Sequence, residues 1–120
     1  MKLLFLLLII IPKLVYALPE CPKDSDASWD ECIGQALFDG TRHYDGKWRE
    51  NKINGQGVTS IAGVWEYEGF FKNDAFHGEG IMVWPHQVYE GGWVNGVKIG
   101  QGTMFYPDGR SIQVSGKMVN

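Results

Sequence analysis

One five-residue pattern recurs three times at almost fixed spacing, and it limits the fold more than any other feature of the chain. Tyr44-Asp45-Gly46-Lys47-Trp48, Tyr67-Glu68-Gly69-Phe70-Phe71 and Tyr89-Glu90-Gly91-Gly92-Trp93 all read tyrosine, acid, glycine, any residue, aromatic, at steps of 23 and 22. A second block keeps the same steps: Gly55-Gln56-Gly57, Gly78-Glu79-Gly80 and Gly100-Gln101-Gly102. The residue missing from the shorter step falls between Gly80 and Tyr89. A unit this short cannot bury an apolar face alone, so it must stack on copies of itself and be closed by atypical end units. The units read as 44–66, 67–88 and 89–113. Gly34 and Gly40 lie 23 residues before Gly57 and Gly63, which makes 34–43 a leading half-unit cap. Val114-Ser115-Gly116-Lys117-Met118, at an offset of 25 from Tyr89, reads as a degraded trailing cap over 114–120.

Each unit predicts a β-hairpin. Tyr44, Gly46 and Trp48 alternate with Asp45, Lys47 and Arg49, a period of two that gives one aromatic and one charged face. Turn signals follow at Asn51-Lys52, Asn73-Asp74 and Asn95-Gly96, the last a strong type I′ pair. The return strand begins at the Gly-x-Gly block. Further turns are expected at Asp39-Gly40, Ala62-Gly63, Pro85-His86 and Asp108-Gly109. No stretch after residue 17 has a helical period, and Ser25 to Ile33 carries a short helical turn at most. The fold class is therefore all-β.

Gly46, Gly69 and Gly91 share a face with the aromatics and leave a gap between tyrosine and tryptophan or phenylalanine. A ring from a neighbouring unit is expected over each gap, because a strand glycine permits close approach. Stacking then forms columns of Tyr44, Tyr67 and Tyr89 and of Trp48, Phe71 and Trp93, which serve as core or line a groove. The opposite face carries Phe70, Ile81, Val83 and Phe105, with Val58, Ser60 and Thr103. That is an apolar patch where a polar face is expected. Either it is a partner site or the N-terminal segment carrying Trp29 covers it. Asp45, Glu68 and Glu90 are expected in line across the sheet, either as a site for a cation or basic peptide or as a solvated face near Lys47 and Lys72. Glu79, between Gln56 and Gln101 of the other units, adds nothing specific.

Residues 1–17 read as a signal peptide. Leu3 to Ile11 is an unbroken apolar run, too short to span a bilayer as a helix, which needs about 20 residues. Val15-Tyr16-Ala17 suits a cut after Ala17, and an uncleaved N-terminal anchor is the alternative. The cut removes two of the eleven basic residues, leaving nine against fourteen acids, a net of −5. That disfavours nucleic acid and simple adhesion to anionic lipid. The chain is expected to be exported, periplasmic or extracellular, with 18–33 forming a segment pinned by Cys21 and Cys32. An even cysteine count in an exported chain reads as a disulfide, with two free thiols as the other possibility.

Catalytic chemistry finds no foothold. His43, His77 and His86 lack metal-ligand spacing, and Cys21 and Cys32 lack a C-x-x-C clamp. Ser25, Ser28, Ser60, Ser111 and Ser115 stand in no nucleophile elbow. Gly55-Gln56-Gly57 opens a strand with no helix after it, so it cradles no phosphate. No cofactor is implied.

Tyr-acid-Gly-x-aromatic followed by Gly-x-Gly resembles the MORN (membrane occupation and recognition nexus) repeat, over about residues 34 to 118. The order of apolar leader, Cys21-Pro22, Ser28 to Cys32 and repeats is similar to small exported bacterial MORN proteins. The resemblance implies an elongated, twisted antiparallel β-meander. It also implies an interaction or membrane-tethering module, in some members dimeric or lipid-binding. Lipid readings lean on basic surfaces, and this chain is acidic. Three functions follow: a non-catalytic scaffold binding a protein partner or itself as a homodimer, a membrane or envelope association module, and a small hydrolase. Salt separates the first two, since electrostatic adhesion falls with ionic strength. A hydrolase needs a convergent polar pocket.

Overall fold

The computed structural model describes residues 18–24 and 26–116. The leader, the cut after Ala17, Ser25 and Lys117 to Asn120 lie outside them. Eight strands run β1 Cys32–Phe38, β2 Arg42–Arg49, β3 Lys52–Ile61, β4 Trp65–Lys72, β5 Ala75–Trp84, β6 Gln87–Val94, β7 Val97–Phe105 and β8 Ser111–Gly116. They form one antiparallel sheet in which each strand pairs with its neighbours in sequence. The chain is all-β, as the period-two pattern predicts. Residues 26–31 form turns and bends rather than a helical turn.

Register carries the repeat across the sheet. One inward row runs Ala36, Tyr44, Thr59, Tyr67, Met82, Tyr89, Met104 and Ile112, each residue opposite the next. Ile112 thus stands in the slot that the tyrosines fill, 23 residues after Tyr89. This corrects the offset of 25 and the cap boundary at residue 114. At an offset of 25 Gly116 falls on the repeat glycine, but it pairs with Gly100, as Phe71 pairs with Gly55. Without a tyrosine or its glycine, the last unit gave the alignment the wrong anchor.

The hairpin tips are tight turns with positive φ at both central residues: Glu50 and Asn51 (49° and 62°), Asn73 and Asp74 (47° and 70°), Asn95 and Gly96 (49° and 82°). The first turn therefore sits one residue earlier than Asn51-Lys52. Each return strand carries extra residues at its Gly-x-Gly block. Gly46 pairs with Gly57 but Trp48 pairs with Ile53, so Asn54, Gly55 and Gln56 face Lys47 alone. Such a bulge bends the strand, and Gly55 supplies the left-handed φ of 95° that it needs.

Each tip also clasps the unit before it. Asp74 N–H donates to Ile53 O at 3.0 Å, and Ile53 N–H donates to Asp74 Oδ1 at 2.8 Å. Gly96 N–H likewise donates to Phe76 O at 3.0 Å. At the start of the array, Asn51 N–H donates to Trp29 O at 2.8 Å and Trp29 N–H donates to Asn51 Oδ1 at 2.7 Å. Trp29 therefore takes the place held by Ile53 and Phe76 in later units. The segment before β1 imitates a preceding repeat.

Two further contacts fix that segment. Cys21 and Cys32 form a disulfide. Cys21 N–H donates to Ile33 O and Ile33 N–H to Pro19 O, both at 2.8 Å, so the segment lies along part of the outer edge of β1. Edge strands left bare invite pairing with other chains.

Candidate interaction surface

The inward face is filled by its own rings. Tyr44, Tyr67 and Tyr89 are 0–1% exposed and Trp48, Phe71 and Trp93 are 5–7% exposed. These six are core, not a reachable groove. They form one zigzag file rather than two columns. Trp29 meets Trp48 (4.9 Å between ring centroids), Trp48 meets Tyr44 (5.4 Å), and Tyr44 meets Phe71 (5.3 Å). Phe71 meets Tyr67 (5.1 Å), Tyr67 meets Trp93 (5.7 Å), and Trp93 meets Tyr89 (5.5 Å). Every link is edge to face, the favoured aromatic geometry, with about 0.5–1.5 kcal/mol per pair beyond the buried area.

The glycines make room for this file, but not in the way expected from sequence. Each gap is covered by the unit's own tyrosine, not by a neighbour's ring. A Cβ on Gly57 would lie 2.7 Å from Tyr44 Cζ, and one on Gly46 2.5 Å from the Tyr44 hydroxyl. Gly69 and Gly80 lie under Tyr67 in the same way, and Gly91 and Gly102 under Tyr89. The first glycine of each Gly-x-Gly block, Gly55, Gly78 and Gly100, has positive φ at the bulge. The tyrosine hydroxyls then reach backbone: Tyr44 donates to Lys47 O at 2.9 Å and Tyr67 to Phe70 O at 3.0 Å. In the third unit Gly92 stands at that place, the ladder irregularity moves by one residue, and the Tyr89 hydroxyl has no partner. Burial pushes all three phenols up, Tyr67 to about 12. The Glu79 carboxylate adds to the rise at Tyr67 and Tyr89.

The outward face is open. One row reads Gln35, Asp45, Val58, Glu68, Ile81, Glu90, Thr103 and Gln113. The next reads Leu37, His43, Ser60, Glu66, Val83, Val88, Phe105 and Ser111. Asp45, Glu68 and Glu90 are thus in line, but Val58 and Ile81 stand between them. Phe70 is 48% exposed, Phe105 41%, and Ile81 and Val83 38% each. Val83, Val88 and Phe105 are direct ladder neighbours, so the patch is continuous across β5, β6 and β7. The N-terminal segment leaves it uncovered, because Trp29 packs on the inward face against Trp48.

A shallow groove of about 280 Å³ opens beside Phe70, lined by Gln56, Glu68, Glu79, Ile81 and Glu90 over the backbone of Gly69 and Gly80. Asp45 is tied to Gln35, which donates to its Oδ2 at 3.2 Å. Both salt bridges among the described residues, Arg49–Glu31 and Arg110–Asp108, lie away from the groove.

Comparison with known proteins places this arrangement. The sequence matches the MORN repeat at residues 44–62, 67–85 and 89–109, which spans all three hairpins of the file. The chain belongs to the MORN-repeat family. Alsin from Rattus norvegicus, Mus musculus and Homo sapiens is in each case 36% identical over 66 residues, 50% of this chain and 4% of that protein. The MORN chain thus spans a small fraction of the relatives it matches. MORN repeats are often modules for protein or membrane interaction and are generally non-catalytic.

Two residues of this MORN surface escaped the sequence reading. Glu79, which adds nothing specific by spacing, lines the Phe70 groove with Glu68 and Glu90. Its signal was an acid where the other units carry Gln56 and Gln101. Val88 is the second, between Val83 and Phe105 in the ladder. Its signal was an apolar side chain where the other units carry His43 and Glu66. His43, His77 and His86 stay apart: among the described residues no group of His, Cys, Asp and Glu side chains converges as a metal site.

Proposed function

We propose that this chain is an exported, non-catalytic MORN module that binds a protein partner, or a second copy of itself, through the outward face of its sheet. The observation that carries this is the continuous apolar patch of Phe70, Ile81, Val83, Val88 and Phe105 on a face that nothing in the described chain covers. Contiguous exposed apolar surface of this kind marks interaction sites. The Cys21–Cys32 disulfide supports an oxidising compartment, and the apolar leader supports export. The carboxylates on the same face speak against adhesion to anionic lipid.

The test is Phe70→Ser with Val83→Ser, compared with the unaltered chain by size-exclusion chromatography with light scattering at low and high salt. Both side chains are exposed, so the fold is retained. A salt-resistant dimer lost in the double variant supports a self-association surface. If the chain is a monomer, crosslinked capture from an envelope fraction is compared, and proteins retained by the parent but lost from the variant support a heterologous partner. Identical behaviour of parent and variant in both assays sinks the reading.

A further inference from the structure

We infer that the groove beside Phe70 receives a cationic side chain presented by an apolar-rich segment of a partner protein. This deepens the reading of the outward face as an interaction surface and rests on it.

The apolar element comes first. Phe70 and Ile81 form the groove's exposed apolar surfaces, at 48% and 38% exposure, and Val83 extends the surface along β5. Gly92 stands opposite Glu79 where the first two units carry Lys47 and Phe70, and the Glu79 carboxylate lies 3.7 Å from where a Gly92 Cβ would be. The charge around this apolar floor is of one sign. Glu68 and Glu90 flank Ile81 on either side in the ladder, about 10 Å apart at two strand spacings. Glu79 lines the groove with them, and Glu66 lies directly opposite Val83. Asp45, by contrast, has Gln35 as a hydrogen-bond donor. The carboxylates around the groove repel one another, and neither salt bridge of the described residues relieves them.

A lysine or arginine side chain complements each part. Its methylene stem lies along apolar surface while its head stays polar. Its charge sits among the carboxylates and near the Phe70 ring, which attracts cations through its face. Neighbouring apolar side chains of the same segment cover Val83, Val88 and Phe105. An anionic lipid headgroup meets like charge at Glu68, Glu79 and Glu90.

The test uses the chain with its disulfide intact and a fluorescent peptide of alternating lysine and leucine, read by anisotropy over a salt series. Binding is expected, weakening as salt screens the charges. A peptide with glutamate in place of lysine should not bind. Glu68→Gln, Glu79→Gln and Glu90→Gln together should weaken binding about tenfold, the sum of three partly exposed charge pairs. Asp39→Asn with Glu50→Gln, away from the groove, should leave it unchanged. Should the triple variant fold poorly, Glu79→Lys alone gives the same comparison. Unchanged affinity in these groove variants, equal binding of the glutamate peptide, or preferential binding to phosphatidylserine vesicles overturns the proposal. The two readings separate cleanly. If the glutamine variant binds as the parent does while Phe70→Ser with Val83→Ser abolishes association, the interaction surface stands and the cationic occupant falls. If neither set of substitutions changes anything, both fall.

Discussion

Single residues show most directly how little slack the tyrosine slots have. A methyl group on Gly57 meets the Tyr44 ring at 2.7 Å, so Gly57→Ala is expected to cost about 3 kcal/mol as overpacking. Gly63 has positive φ but nothing within 4 Å of its Cβ position. Gly63→Ala should therefore cost only about 1 kcal/mol of backbone strain. Urea denaturation of the two variants measures the difference. The phenols give a pH prediction. Burial raises the folded-state value of Tyr67 from 10.0 to about 12, with Tyr44 and Tyr89 raised as well. A raised phenol favours the neutral form, so its contribution is complete below pH 10 and is lost as pH climbs toward 12. The tyrosinate absorbance of these three rings should accordingly appear together with loss of the sheet signal in circular dichroism, rather than before it. Early titration of these rings in the folded chain would show that they are accessible.

At the scale of the hairpin, the decisive device is the tip that clasps the preceding unit. Asp74→Gly keeps the turn's φ but removes the acceptor for Ile53 N–H, and a loss of about 1 kcal/mol in denaturant stability is expected. Asp74→Asn keeps the acceptor and should be close to neutral. The third tip offers the reverse experiment. Gly96 has a φ of 82° and no atom near its Cβ position, a conformation asparagine tolerates. Gly96→Asn should supply to Phe76 N–H the bond that Asp74 supplies to Ile53 and raise the denaturation midpoint. The strands and most turns were legible in the sequence because period two and asparagine turns are local signals, but the aromatics, expected in two columns, form one file. The clasp was not legible, since it joins residues 21 apart through a backbone amide. The identity of the ring over each glycine depends on a side-chain direction that spacing alone does not set. Ile112 was missed for the opposite reason: it holds a repeat slot without the repeat's chemistry.

Across the whole molecule the two faces divide the labour: one is sealed by rings, the other is apolar and acidic. Sequence alone placed Phe70, Ile81, Val83 and Phe105 on the outward face but left open whether the N-terminal segment covered them. Trp29 resolves this by lying across Trp48 on the inward side. The disulfide holds that arrangement. Its ends are 11 residues apart, and closing so short a loop contributes about 2–3 kcal/mol in the chain-entropy account. Reduction should lower the denaturation midpoint accordingly, shift Trp29 fluorescence as the indole leaves Trp48, and free the β1 edge for pairing with other chains. An unchanged midpoint after reduction would mean that the hydrogen bonds of Asn51 hold the segment unaided.

The clasps also run in one direction, and this gives the array an order in time. Trp29, Ile53 and Phe76 are each secured by a tip that lies 20 to 22 residues later in the chain. As the polypeptide emerges from its amino end, each of these three residues is secured only once the following tip has been made. The newest unit is always the unfinished one. Folding of this protein is therefore expected to lag synthesis by one unit, with the first tip, at Asn51, closing the N-terminal segment before any full repeat is secured.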